Sequence, residues 1–381
     1  MTPASKLPGV GTTIFTVMSQ LAAEHGAINL GQGFPDFDGD PQLHALVTRA
    51  MQEGCNQYAP MAGVAALRQA VAAKIERLQG HRYDPELEIT ITAGASQALF
   101  TAVLALVHPG DEVIVLDPAY DSYGPSVQLA GGHLVRVALD HQAGYRVDWD
   151  RVRAAISPRT RLLIVNTPHN PTGSVLGEAD LRALESLVAA HGIFLLADEV
   201  YEHIVFDGIP HRSLASSPLL AERTLLVSSF GKTFHTTGWK MGYCCAPKAL
   251  SAEFRKVHQF NVFAVNHPVQ VALARFLEEP AHYQDLPAFY QQRRDHFVQG
   301  LASTRFRALP CPGTYFVVAD YRAISDEPEV AFARRLAIEH GVAAIPVSAF
   351  YGQPYDAGVI RFCFGKRTAT LDAALARLAA V

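Results

Sequence analysis

Between residues 88 and 229 the chain carries five short apolar runs: E-I-T-I-T-A (88–93), E-V-I-V-L-D (112–117), R-L-L-I-V-N (161–166), I-F-L-L-A-D (193–198) and T-L-L-V-S-S (224–229). They are rich in branched side chains and mostly continuous in their apolarity. Each therefore predicts a strand buried in a mostly parallel sheet. Helical patterns lie between them. Leu181, Leu184, Leu187 and Val188 fall on one face of a helix that His191-Gly192 would stop. The segment 96–107 is apolar nearly all round, as a helix inside the molecule would be. This alternation predicts an α/β fold with helices on a central sheet.

Polar residues gather where these strands end: Gly94, Tyr120 just past Asp117, Asn166, Asp198 and Ser229. Ligands of open α/β sheets bind outside the carboxyl ends of the strands, so five such ends predict one shared site. From about residue 285 the pattern changes. A helical stretch with Tyr290, Arg293, Arg294 and Phe297 leads to G-T-Y-F-V-V-A-D-Y (313–321), then a helix over 328–340, G-V-A-A-I-P-V (341–347), V-I-R-F-C-F (359–364) and a last helix. The division expected is an N-terminal arm with part of a small domain over 1–45, a large domain over 46–284, and a smaller α+β domain over 285–381.

Composition narrows the class. At 381 residues, 49% apolar and 18% charged, the chain is globular in character, and a net charge of −4 offers no basic field for nucleic acid or an anionic membrane. No apolar stretch approaches the roughly 20 residues of a membrane helix, and the first residues lack the apolar region of a secretory signal. Cys55, Cys244, Cys245, Cys311 and Cys363 make an odd count without a C-x-x-C pair. That pattern fits free thiols in a reducing compartment, so a cytoplasmic location and no metal site are expected. His191, His258 and His340 sit in helical contexts without ligand spacing.

The candidate chemistry centres on S-S-F-G-K-T-F-H-T-T-G-W-K-M-G-Y (228–243). Lys232 follows a buried strand, among small residues, with Lys240 eight positions on. Burial and a neighbouring cation lower an ammonium's pKa and free an amine to attack carbonyls. Gly94, Ala95 and Ser96 form a strand-to-helix turn open to a phosphate, although such turns also occur without ligands. Tyr120 and Tyr123 offer rings for stacking or for packing. In N-T-P-H-N-P-T-G (166–173), Pro171 and Gly173 form a tight turn that presents Asn170. Asp198 ends an apolar strand and needs a cation, either a protein side chain or a ligand's ring nitrogen. Arg361 within an apolar strand pairs either with an internal carboxylate or with a substrate's.

Together these residues resemble the fold-type I pyridoxal-phosphate aminotransferases of class I/II. The likeness spans almost the whole chain through G-Q-G-F-P-D-F (31–37), N-Q-Y-A-P-M-A-G (56–63), N-P-T-G, D-E-V-Y (198–201) and S-x-x-x-K-T, in family order. Within the family the chain looks closest to bacterial methionine aminotransferases, and it is similar to kynurenine and glutamine aminotransferases. The resemblance implies a large domain with a mostly parallel sheet, a smaller α+β domain, and pyridoxal 5'-phosphate as cofactor. Lys232 would form an imine with the cofactor and carry the Cα proton, and Asp198 would keep the pyridine nitrogen protonated. Asn170 and Tyr201 would bond the phenolic oxygen, and Tyr120 would stack on the ring with Tyr123 in support. Ala95, Ser96, Ser229 and Lys240 would hold the phosphate, joined by Tyr58 from the other subunit of a homodimer. Arg361 would clamp the substrate carboxylate, with Asn166 and Gly33 beside it. Ile14, Phe15, Phe34 and Tyr58, with Phe263 of the second subunit, would line the side-chain pocket. Lys240 stands where many relatives have arginine, and Ala95-Ser96 replaces a Gly-Thr or Gly-Tyr pair. The implied activity is a ping-pong transfer from methionine, aromatic or glutamine-type amino acids to a 2-oxo acid. A cysteine-conjugate or cystathionine β-lyase stays open on the same residues, as does a kynurenine–oxoglutarate aminotransferase.

Overall fold

The computed structural model describes residues 4–381. The five apolar runs all form strands of one seven-stranded sheet, in the order Ile89–Thr92, Gly242–Cys245, Thr224–Ser229, Phe194–Asp198, Thr160–Asn166, Glu112–Asp117 and His133–Ala138. Neighbours pair in parallel except around Gly242–Cys245, which runs antiparallel to both of its partners. Every residue of Glu112–Asp117 and of Thr224–Ser229 is buried, as a strand covered on both faces requires. Two strands escaped the sequence pattern. Gly242–Cys245 is a four-residue G-Y-C-C segment without a branched run, and His133–Ala138 lies at the sheet edge with mixed burial.

Helices cover both faces. Gly94–Leu106 buries Ala98, Leu99, Ala102 and Val103 against the sheet. On the other face Glu178–His191 packs Leu181, Leu184, Leu187 and Val188, and it ends at Gly192 with φ 66°. Removing a fully buried leucine from such a layer typically costs about 2–5 kcal/mol.

A four-stranded antiparallel sheet follows, in the order Ile345–Pro346, Val359–Cys363, Phe316–Asp320 and Arg307–Ala308. The N-terminal segment runs beside it: Ile28–Asn29 pairs in parallel with Val342–Ala343, and Cys363 N donates to Leu30 O at 2.7 Å. This places residues 31–34 and strand Val359–Cys363 across from the carboxyl ends of the seven-stranded sheet. Among the described residues no helix is long and apolar enough to cross a membrane.

Candidate active site

A cavity of about 300 Å³ opens between the two sheets, and Asn166, Asp198, Ser229, Lys232 and Arg361 all face it. The strand register explains part of this convergence. Asn166 and Asp198 are direct neighbours across parallel strands, and Val227, next to Asp198 on its other side, is followed by Ser228 and Ser229. One layer of the sheet therefore delivers three polar strand ends to one place.

Asp198 is buried, and no lysine, arginine or histidine among the described residues forms an ion pair with it. Its Oδ2 accepts from the Tyr123 hydroxyl at 2.6 Å, and Val200 N approaches Oδ1 at 3.4 Å. Burial pushes its pKa up to about 6, opposed by the Tyr123 hydrogen bond. A buried carboxylate left without a cation is a place prepared for one. Asn166 ties the neighbouring chain segments together: Nδ2 donates to the Asp198 carbonyl, and Oδ1 accepts from Asn170 N, both at 2.8 Å.

Lys232 sits in a single helical turn, Phe230–Thr233, directly after the strand ending at Ser229. Its Nζ donates to the Gly33 carbonyl and the Tyr315 hydroxyl, each at 2.8 Å. Enclosure of the amine lowers its pKa to about 8, and the charges of Arg361 and Lys240 push in the same direction. At neutral pH a usable fraction is therefore the nucleophilic free amine. The Tyr201 ring lies 5.7 Å from Nζ, and burial raises the phenol's pKa.

An anion cradle lies beside it. Gly94 adopts φ 78° to start the helix, leaving the N–H groups of the first turn without partners inside the helix. A Cβ on Gly94 would stand 3.3 Å from Lys240 Nζ, so the missing side chain lets the ammonium come against the helix start. Ala95, Ser96, Ser229 and Lys240 line this end of the cavity. Ser96 Oγ and Tyr120 Oη are 3.3 Å apart. Helix dipole, free N–H groups and ammonium favour a phosphate here.

Arg361 is fully buried, and no carboxylate pairs with it among the described residues. Nη1 donates to Asn170 Oδ1 at 2.6 Å, Nη2 donates to Gly31 O at 2.8 Å, and Nε has no partner. The Phe316 ring lies 3.8 Å from the guanidinium carbon, with Phe15 and Phe350 at 5.3 and 5.2 Å. Burial lowers its pKa to about 10 without removing its charge at neutral pH. The internal Arg–Asp bridge weighed from the sequence is absent.

The structure brings Phe15, Gly33, Ala95, Ser96, Tyr120, Asn166, Asn170, Asp198, Tyr201, Ser229, Lys232, Lys240 and Arg361 to this one cavity. Ile14 is not among its lining residues and packs with the hydrophobic core instead, since adjacent helical positions point in different directions. Tyr58 lies outside the cavity of its own chain, 81% exposed, edge-on to Phe263 at 5.2 Å. Asn166 has its oxygen and one N–H engaged within the protein, which positions Asn170, and its second N–H is left on a side chain that lines the cavity. Sequence reasoning missed Tyr315 on Lys232, Phe316 beneath Arg361, and Phe350. All three belong to apolar stretches that read as core.

The donor set fits pyridoxal phosphate: a cation-seeking buried carboxylate, an amine of lowered pKa, and an anion cradle share one cavity. The chain is 54% identical over 377 residues to the methionine aminotransferase of Escherichia coli K12, covering 99% of this chain and 97% of the other. A solved E. coli structure with methionine aminotransferase function matches with a TM-score of 0.98 at 53% identity, over 100% of both chains. A probable N-succinyldiaminopimelate aminotransferase of Mycobacterium tuberculosis is 43% identical over 98% of this chain and 97% of its own. The mouse kynurenine–oxoglutarate transaminase 1 is 36% identical over 98% and 96%. A family model for class I and II aminotransferases matches residues 25–378. The chain therefore belongs to the class I and II aminotransferases, enzymes that work with pyridoxal phosphate.

Proposed function

We propose that this aminotransferase takes methionine as its main amino donor, accepts aromatic and glutamine-type amino acids as well, and works as a cytoplasmic homodimer. The wall of the cavity carries this reading. Phe15, Phe34 and Phe316 line it, and among the described residues Arg361 is its single arginine, with no second guanidinium for a distal carboxylate. A thioether is flexible and polarizable, and it gains from contact with aromatic edges. Selectivity among apolar side chains amounts to about 1–3 kcal/mol per methylene, so a broad donor range follows. The named activities of the E. coli and mouse relatives support both parts of the reading.

When bound, the cofactor supplies an aldehyde that captures amines and a ring that takes up the electron pair released at Cα. The protein's own contributions follow from the geometry. Arg361 grips the substrate α-carboxylate, with Asn170 fixing one arm of the fork. Lys232 Nζ removes the Cα proton and later returns it, helped by a pKa near 8. Asp198 holds a proton on the ring nitrogen, and Tyr123 fixes the carboxylate's orientation. Asn170 and Tyr201 address the ring oxygen. The small residues and Lys240 at the helix start hold the phosphate, while the aromatic wall receives the apolar side chain. In one half-reaction the amino acid would leave its amino group with the cofactor, take its keto oxygen from water and depart as a 2-oxo acid; in the other a second 2-oxo acid would take up that amino group and release the water.

The exposed aromatic group of Tyr58, Phe260 and Phe263, at 81%, 86% and 55%, supports the dimer. Such a patch is costly on a free surface, and a second copy would cover it while receiving Tyr58 at its phosphate end. A donor-by-acceptor rate matrix tests the substrate reading, with methionine expected to give the highest kcat/KM. Rapid pyruvate release from a β-thio amino acid without any oxo-acid acceptor would instead favour the lyase.

A further inference from the structure

Behind the cavity wall three polar atoms close a triangle. Lys232 Nζ donates to Gly33 O and to Tyr315 Oη at 2.8 Å each, and Tyr315 Oη donates to the same carbonyl at 2.6 Å. Tyr315 is fully buried, and its ring is flanked by Phe316, Tyr201 and Tyr290 at centroid distances of 4.9, 5.2 and 5.7 Å. Lys232 and Gly33 line the cavity, whereas Tyr315 stands behind it.

The phenol donates its one proton to Gly33 O at the shorter contact and so offers the amine a lone pair, as an acceptor for the Lys232 N–H. Both acceptors then lie on one side of the nitrogen. The hydrogens of a neutral amine are drawn to that side, and its own lone pair is left facing the cavity. A lysine on a four-carbon stem otherwise samples many directions, and an unaligned base loses much of its advantage.

We propose that Tyr315 is a positioning residue for transamination, a dock that holds the free amine of Lys232 with its lone pair aimed at the substrate's α-carbon. This rests on Lys232 being the proton carrier. The packing around Tyr315 accounts for a ring at this position. It does not account for a hydroxyl, which bonds the amine and the carbonyl that the amine also uses, with the Tyr201 phenol beside it.

The apoenzyme gives a direct readout. Trace labelling with acetic anhydride at a series of pH values, followed by mass spectrometry of the peptide bearing Lys232, yields that amine's own titration midpoint. The wild type is expected near 8. Tyr315→Phe removes an acceptor that stabilises the ammonium, so the midpoint should fall by about one unit. In the loaded enzyme kcat should fall about tenfold, with KM for methionine within about twofold because Arg361 is untouched. If Tyr315→Phe does not fold, Tyr315→Met removes the same hydroxyl and is read in the same way. An unchanged midpoint in a variant of wild-type Tm overturns the proposal, and so does an unchanged kcat. Failure of the underlying reading shows separately, as proton transfer that survives in Lys232→Ala.

Discussion

Replacing Arg361 by lysine keeps the charge and removes the fork. In the native structure the guanidinium plane is set before substrate arrives, by Asn170 at 2.6 Å, Gly31 O at 2.8 Å and the Phe316 ring at 3.8 Å. A carboxylate approaching this plane can take two parallel charge-assisted bonds, whereas an ammonium offers a single point of charge. A hydrogen bond to a charged group contributes about 1.5–3 kcal/mol net, so losing the second one should cost the transition state about 2–3 kcal/mol. That corresponds to about a 30- to 150-fold fall in kcat/KM for methionine. The informative assay compares methionine with methioninamide, which lacks the anionic carboxylate. Arg361→Lys should slow methionine by the full factor and the amide by far less, so that the preference for the acid collapses. Melting curves run in parallel separate this from a general loss of fold, because the altered side chain is fully buried. Equal slowing of both substrates would refute the clamp.

Three further outcomes follow from other parts of the site. Asp198 is raised by burial from 3.8 to about 6, so the unfolded chain ionises it first. Its favourable contribution to apoenzyme stability is full below pH 4 and is lost, by about 3 kcal/mol, as pH rises through 6. A cation on the ring nitrogen cancels this loss, so the gap in Tm between loaded and cofactor-free protein should widen from about pH 5 to 7; a constant gap would mean that the carboxylate does not meet the ring. Gly33→Ala puts a Cβ 2.6 Å from Phe316 Cζ, displacing the ring beneath Arg361. KM for methionine should rise severalfold while cofactor uptake persists, as steady-state kinetics and cofactor absorbance would report. Mixing inactive Lys232→Ala with inactive Tyr58→Ala protein and letting subunits exchange should restore about a quarter of wild-type activity, since half of the dimers then carry one intact shared site. No recovery after verified exchange would place Tyr58 outside the partner's site.

Much of this site was visible in the sequence because a parallel sheet buried on both faces leaves apolar runs in which a terminal polar residue stands out. Asp198 after F-L-L-A and Asn166 after L-L-I-V are such cases, and both ends came to the same cavity. What stayed hidden depends on contacts between distant segments. Tyr315 reads as one more core aromatic in G-T-Y-F-V-V, and its hydroxyl matters only because Gly33, 282 positions away, folds against it. Tyr123 reads as support for stacking, whereas its hydroxyl meets Asp198 across 75 positions. Ile14 and Phe15 could not be told apart without the helix phase, and only Phe15 faces the cavity. The strand Gly242–Cys245 lacks a branched run, and its antiparallel pairing reverses the local direction of the sheet.

The central claim is that Lys232 is the amine that engages the cofactor. Borohydride reduction of the cofactor-loaded protein, followed by digestion and mass mapping, reads this directly. One reduced cofactor per chain, carried by Lys232 within S-S-F-G-K-T, is the expected result. Attachment to Lys240, Lys74 or Lys366 instead, or no attachment to any lysine, would contradict it.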